Sequence, residues 1–313
     1  MWGRIAVSLT VGATVILITV YGEARALAPA GQIFIAEQCR HRLVRINDMT
    51  GAGWTTFGTY GTGVNQFMSP TGIFVNPSGQ IFVTNMGAMR VTDPGSMRLV
   101  RVNDMTGAGW TTFGGLGSGI NQFSYPASIS VNAAGQIFVA DAANDRLVRI
   151  NDMTGAGWTT FGSNGSGVNQ FGTPIDISMN AAGQIFVADQ HNNRIVRIND
   201  LTGSGWTTFG SYGSGVGQFA GPLRIFVSLA GQIYVVDNKR LVRINDMTGA
   251  GWTTFSGYYD SIFVNSAGQI FLGEYARIVR INDMSGAGLT TFGNPDIGID
   301  QPGRFCGPHI FVR

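Results

Sequence analysis

The stretch PASISVNAAGQIFVADAANDRLVRINDMTGAGWTTFG, residues 126–162, carries four short apolar runs separated by turn residues. The runs lie at 129–131, 136–140, 146–150 and 158–161, and they are rich in the β-branched and aromatic residues that favour strands. Between them, Asn132-Ala133-Ala134-Gly135 and the longer Asn151–Gly157 supply the asparagines and glycines that tight turns need for positive φ. Apolar side chains fall on both faces of the runs, as expected of a sheet packed against neighbours on either side. Four antiparallel strands in a unit of this length describe one blade of a β-propeller.

The unit recurs. Gly-Gln-Ile followed by Phe or Tyr begins at Gly31, Gly79, Gly135, Gly183, Gly231 and Gly268, with spacings of 48, 56, 48, 48 and 37 residues. Such self-similarity marks a repeat architecture. The expected fold is therefore all-β, a six-bladed β-propeller of four-stranded antiparallel blades. The first repeat lacks the Ile-x-Val strand that precedes the tetrad elsewhere. That strand stands at the far end of the chain, in His309-Ile310-Phe311-Val312. The ring is thus expected to close by pairing the C-terminal strand into blade one, which leaves no open sheet edge.

The run Gly162-Ser-Asn-Gly-Ser-Gly-Val-Asn-Gln-Phe171, then Pro174, Gly183-Gln-Ile-Phe-Val-Ala-Asp189 and Asn193-Arg194-Ile195, resembles the NHL repeat. The resemblance covers nearly everything after residue 30. It implies the propeller fold but no single activity, since NHL propellers include RNA binders, protein-binding modules and a lyase.

The first 28 residues differ from the rest. Arg4 precedes an uncharged apolar run from Ile5 to Val20, followed by Ala24-Arg25-Ala26. This segment reads either as a secretory signal cleaved after Ala26 or as a retained, helical membrane anchor. Both readings export the propeller of residues 29–313 to the periplasm or the extracellular space, secreted or tethered. The whole chain has a net charge of only +2, and Lys239 is the one lysine. No basic run is present of the kind that follows nucleic acid, so no nucleic-acid partner is expected, and membrane contact is confined to the N-terminal segment. Cys39 follows the second strand of blade one and Cys306 precedes its first, opposite each other as Ala143 and Tyr125 are in blade three. They are expected to form a disulfide, which an oxidising exterior permits.

Antiparallel strands assign each connection to one of two faces. The first-to-second and third-to-fourth turns share a face and are nearly invariant. The second-to-third turns and the blade-to-blade loops share the other, and all the length variation falls there: an insertion of about eight residues within Met86–Met97, a collapsed connection from Ser256 to Ser261, and a long one from Gly293 to Gly307. The insertion, with Met86, Met89, Arg90, Val91, Asp93 and Met97, is a candidate partner-binding loop, because methionines adapt to irregular surfaces. Gly72, Ser128, Asp176, Arg224, Ser261 and His309 each precede an Ile-x-Val strand and should ring the channel mouth on the variable face. They are candidate ligand contacts, or else they satisfy local backbone groups.

Little catalytic chemistry converges. Asp141, Asn144 and Arg146, with Asp189, Asn193 and Arg194 in the next blade, repeat as scaffold would. Asp48, Asp104, Asp152, Asp200, Asp246 and Asp283 read as turn residues, not calcium ligands. His41 and His309 belong to blade one and His191 to blade four, which argues against a three-histidine zinc site. Neither a metal nor another cofactor is expected. The best reading is a non-enzymatic protein-binding scaffold, such as an accessory subunit of a membrane-associated complex. The alternative is a small-ligand or carbohydrate binder, or a degenerate hydrolase or lyase, working at the channel mouth.

Overall fold

A computed structural model describes residues 6–11, 14–19, 31–87, 97–274, 276–293 and 308–313. Six four-stranded antiparallel sheets follow one another as blades. Blade three runs Pro126–Val131, Ile137–Asp141, Arg146–Ile150, Thr159–Phe161. Blade one is assembled from both ends of the chain: Pro308–Val312 pairs antiparallel with Ile33–Glu37, Ile310 standing opposite Ile35. The C-terminal strand therefore closes the ring.

Burial explains the strand composition. The second strands of blades one to five, such as Ile137–Asp141, are buried along their whole length, because neighbouring blades cover both faces. The core lies between blades: Val139, Val148 and Ile150 of blade three pack with Phe82 and Leu99 of blade two. The outermost strands, such as Thr159–Phe161, alternate with solvent.

The invariant turns have a local cause. The Asp152 carboxylate accepts from Thr154 N at 2.8 Å, and Asn151 N donates to Ala156 O at 2.7 Å. Gly157 sits at φ 69°, where a Cβ would meet the Asn151 amide at 2.4 Å. Only glycine fits there.

At the seam, Ser261 Oγ donates to Pro308 O at 2.7 Å. A Cβ on Gly273 would come within 2.6 Å of that same carbonyl, so blade six approaches blade one through a residue without a side chain.

Ala6–Val11 and Thr14–Thr19 pair as a two-stranded antiparallel hairpin, and the helix expected over the N-terminal segment is not tested by the described residues. Valine, isoleucine and threonine dominate both segments and are stiff at χ1, which suits a strand better than a helix. No helix among the described residues is long and apolar enough to cross a membrane.

Candidate functional site

The first strand of every blade lines the central channel, where a cavity of about 650 Å³ is bounded by residues of all six blades. Gly72, Ser128, Asp176, Arg224, Ser261 and His309 all border it. Their chemistry divides them.

Gly72 is a spacer. A Cβ there would lie 3.0 Å from Ser128 Cα and 2.8 Å from Thr84 Oγ1, so its smallness lets blade two sit against blade three. Ser261 is occupied by the seam bond to Pro308. Asp176 is a tie between blades: it accepts from Ile177 N at 3.0 Å, from Ile225 N of blade five at 2.8 Å, and from the Ser128 hydroxyl of blade three. Burial pushes its carboxyl up, against the pull of Arg224 and these donors.

Arg224 and His309 form the polar pair that faces the cavity. One Arg224 amino group, Nη1, donates to Leu223 O at 2.7 Å, and Nη2 lies 3.0 and 2.9 Å from the two ring nitrogens of His309. Burial and the neighbouring guanidinium hold His309 well below the usual histidine range, so the imidazole is neutral and offers Arg224 a lone pair. Arg224 Nε is buried and makes no hydrogen bond. The arginines at the start of the third strands in five blades, Arg42, Arg146, Arg194, Arg240 and Arg277, each lie within ion-pair distance of a carboxylate. Arg224 does not pair in this way with any described residue.

Two residues further along the same strands lies a feature that the sequence reading missed. Phe226, Phe263, Phe311 and Phe74, from blades five, six, one and two, form a continuous arc with successive ring centroids 4.9, 5.0 and 5.1 Å apart. All four border the cavity and are partly exposed. Blades three and four place Ser130 and Ser178 at the equivalent positions. The signal was present as the middle residue of Ile-x-Val (Ile-x-Met in blade four), phenylalanine in four blades and serine in two, but only the closed ring makes it an arc.

The methionine-loop expectation needs correction at its ends. Met86 and Met97 are buried in the core between blades two and three, and Met97 Sδ accepts from Tyr125 N at 3.2 Å. They anchor the insertion rather than present it. Met89, Arg90, Val91 and Asp93 lie outside the described residues.

The repeated Asp-Asn-Arg group is scaffold, with one change of residue. Asp141 accepts from Ser124 N, Asn144 and Arg146, and Arg146 lies over the Trp158 ring. In blade four the partner of Asp189 is Asn192, at 2.9 Å, and not the expected Asn193. Asn193 stands at φ 52° and accepts from Gly221 N at 2.9 Å.

The histidines do not converge. His41 accepts from Ser69 N at 3.0 Å, whereas His191 lies 2.9 Å from Thr173 Oγ1 in another blade. Among the described residues no three histidine, cysteine or acidic side chains are grouped to hold a metal ion. Cys39 lies in the 3-10 turn Gln38–Arg40, and Cys306 lies outside the described residues.

No protein-family model matches this sequence, and no curated protein does. Solved structures do. A chain of a nidogen/laminin complex superposes with a TM-score of 0.66 at 16% identity, over 90% of this chain and 98% of that one. Virginiamycin B lyase from Staphylococcus aureus, crystallised with quinupristin as an inactive variant, gives 0.52 at 18% identity, over 73% and 71%. A protein of unknown function from Bacteroides caccae gives 0.58 at 10% identity, over 91% and 100%. At such identities the likeness shows a shared β-propeller fold, which a lyase and a chain from a protein complex both use.

Proposed function

We propose that the chain is an exported, non-enzymatic propeller of the NHL type that binds another protein through the face built by its blade-to-blade loops. The observation that carries this reading is a repeated exposed apolar residue. Val64, Ile120, Val168 and Val216 occupy one position in four successive loops and are 71%, 75%, 69% and 78% exposed. Their loops are held rigidly beneath them. In each, the glutamine two residues on accepts from a loop glycine N–H, and the following phenylalanine is fully buried. Tyr60 and Tyr212 add exposed rings in two of these connections, and Tyr258 adds one in the next, from blade five to blade six. Apolar side chains held out on one face fit a protein partner. The propeller neighbour from the nidogen/laminin complex is consistent with that use of the fold.

Export rests on the N-terminal segment and on the cysteines. Pro308 stands opposite Glu37, Cys39 follows Glu37 by two residues, and Cys306, outside the described residues, precedes Pro308 by two in the sequence. In blade three the corresponding backbone is joined by Ala143 N donating to Ser124 O at 3.0 Å. A disulfide there suits an oxidising compartment. If the N-terminal segment is retained, the propeller is an accessory subunit tethered to a membrane complex.

The test is intact mass of the chain, purified from detergent-solubilised membranes under non-reducing conditions, with co-purifying proteins identified. The comparison is a variant carrying Val64→Ser, Ile120→Ser, Val168→Ser and Val216→Ser. The expected result is a stoichiometric partner lost in the variant while its thermal melt is unchanged. A partner retained by the variant, or a wild-type chain recovered alone, would overturn the reading.

A further inference from the structure

The cavity pairs a cation with an aromatic wall. Because side chains alternate along a strand, Arg224 and Phe226, Ser261 and Phe263, His309 and Phe311, and Gly72 and Phe74 share the channel-facing side in two successive layers. Two residues of strand separate the layers by about 7 Å. The upper layer holds one guanidinium with no carboxylate in ion-pair range among the described residues and with its Nε buried and unbonded. Two carboxylates, Asp176 and Asp260, act on it electrostatically, but neither lies within ion-pair distance, and Asp176 is also held by two backbone N–H groups and the Ser128 hydroxyl. The imidazole beside it accepts a hydrogen bond but carries no charge to match. The lower layer offers four partly exposed phenylalanine rings in continuous contact, so water in this part of the channel lies against apolar surface.

From this juxtaposition we propose that the channel is a binding site for a small aromatic carboxylate. Its acid group would face Arg224, and its ring would lie along the arc of Phe226, Phe263, Phe311 and Phe74. The site is distinct from the loop face and does not depend on a protein partner. A volume of about 650 Å³ lies in the range of small-molecule sites. A carboxylate takes parallel hydrogen bonds from a guanidinium, a match that a neutral or purely apolar ligand lacks. The about 7 Å between layers suits a two-carbon spacer between ring and acid. The ring would gain edge-to-face contacts with phenylalanines already tilted towards one another by 56–60°.

The probe is 3-phenylpropanoate, titrated calorimetrically into the purified full-length chain, beside its neutral amide and hexanoate. The wild-type chain is expected to bind the acid at least about tenfold more tightly than either comparison ligand. Arg224→Gln should bring the acid down to the affinity of the amide, leaving the amide unchanged. Phe263→Leu, at the centre of the arc, should weaken acid and amide severalfold alike. The contrast between acid and amide on the wild-type chain needs no variant to fold. Equal binding of acid and amide there, or no binding of the acid at millimolar concentration, would overturn the proposal. So would an Arg224→Gln chain that melts as the wild type does and keeps the preference for the acid.

Discussion

Gly72, Ser128, Asp176, Arg224, Ser261 and His309 hold equivalent places ahead of their Ile-x-Val strands, yet they do unlike work. The glycine spaces two blades, Ser261 and Asp176 tie neighbouring strands, and Arg224 with His309 faces the cavity. Their position could be read from the repeat. Their roles could not, because each depends on which donor the adjoining blade presents. His309 makes this measurable. The folded chain keeps it neutral at pH values where the unfolded chain, with an ordinary value near 6.5, takes up a proton. Its contribution to stability is therefore complete above that value and declines as pH falls towards the lowered folded one. The slope has a limit of about 1.4 kcal/mol per pH unit for one proton. Burial pushes the carboxyls of Asp176 and Asp260 up, so they act in the opposite sense, losing stability as pH rises from 3.8 through their raised values. His309→Gln should lose less melting temperature than the wild type between about pH 7.5 and about pH 5.5. An identical loss in thermal melts would show that the imidazole takes up its proton as readily in the fold as in the unfolded chain.

The blade-to-blade loops combine two functions within a few residues. In the loop that ends at Phe171, Gly165 and Gln170 shape the turn, Val168 projects outward, and Phe171 is fully buried. Phe171 contacts Phe161 and Trp206 at centroid distances of 6.0 and 5.4 Å, under the close approach of Gly162. Phe171→Ala should cost about 3–5 kcal/mol in denaturant unfolding, through lost burial and the cavity left behind. Val168→Ser, three residues away, should change stability by no more than about 0.5 kcal/mol. Similar costs at the two positions would mean that Val168 is covered in the native assembly. This division was legible in part. The repeat marked a blade-to-blade loop, but Gly-Val-Asn-Gln-Phe does not reveal which apolar residue points inward. The insertion shows the same ambiguity, since Met86 and Met97 look like surface methionines until blade three is placed against them.

The ring as a whole depends on its seam. Pro308–Val312 supplies the innermost strand of blade one, buries Ile310 and Val312 against blade six, and completes the aromatic arc through Phe311. Removing residues 308–313 should leave Ile33–Glu37 as an exposed apolar edge. The expected outcome is loss of a single cooperative thermal transition and a shift to aggregates in size-exclusion chromatography. A truncated chain that stays monomeric and melts cooperatively would show that blade one holds without its first strand.

The number of blades, the four strands in each, the closing strand and the invariant turns were all determined by the sequence alone. These features repeat, and each follows from local rules: strand propensity, the positive φ of asparagine and glycine, and a period of fixed length. The tertiary structure decided the rest. Whether Asp176 binds a ligand or a neighbouring strand, whether Met97 is surface or core, and whether four separate phenylalanines make one wall all depend on contacts between blades. Each blade's own sequence determines its strands. What a side chain meets is set by the blade beside it, at distances along the chain that no local pattern encodes.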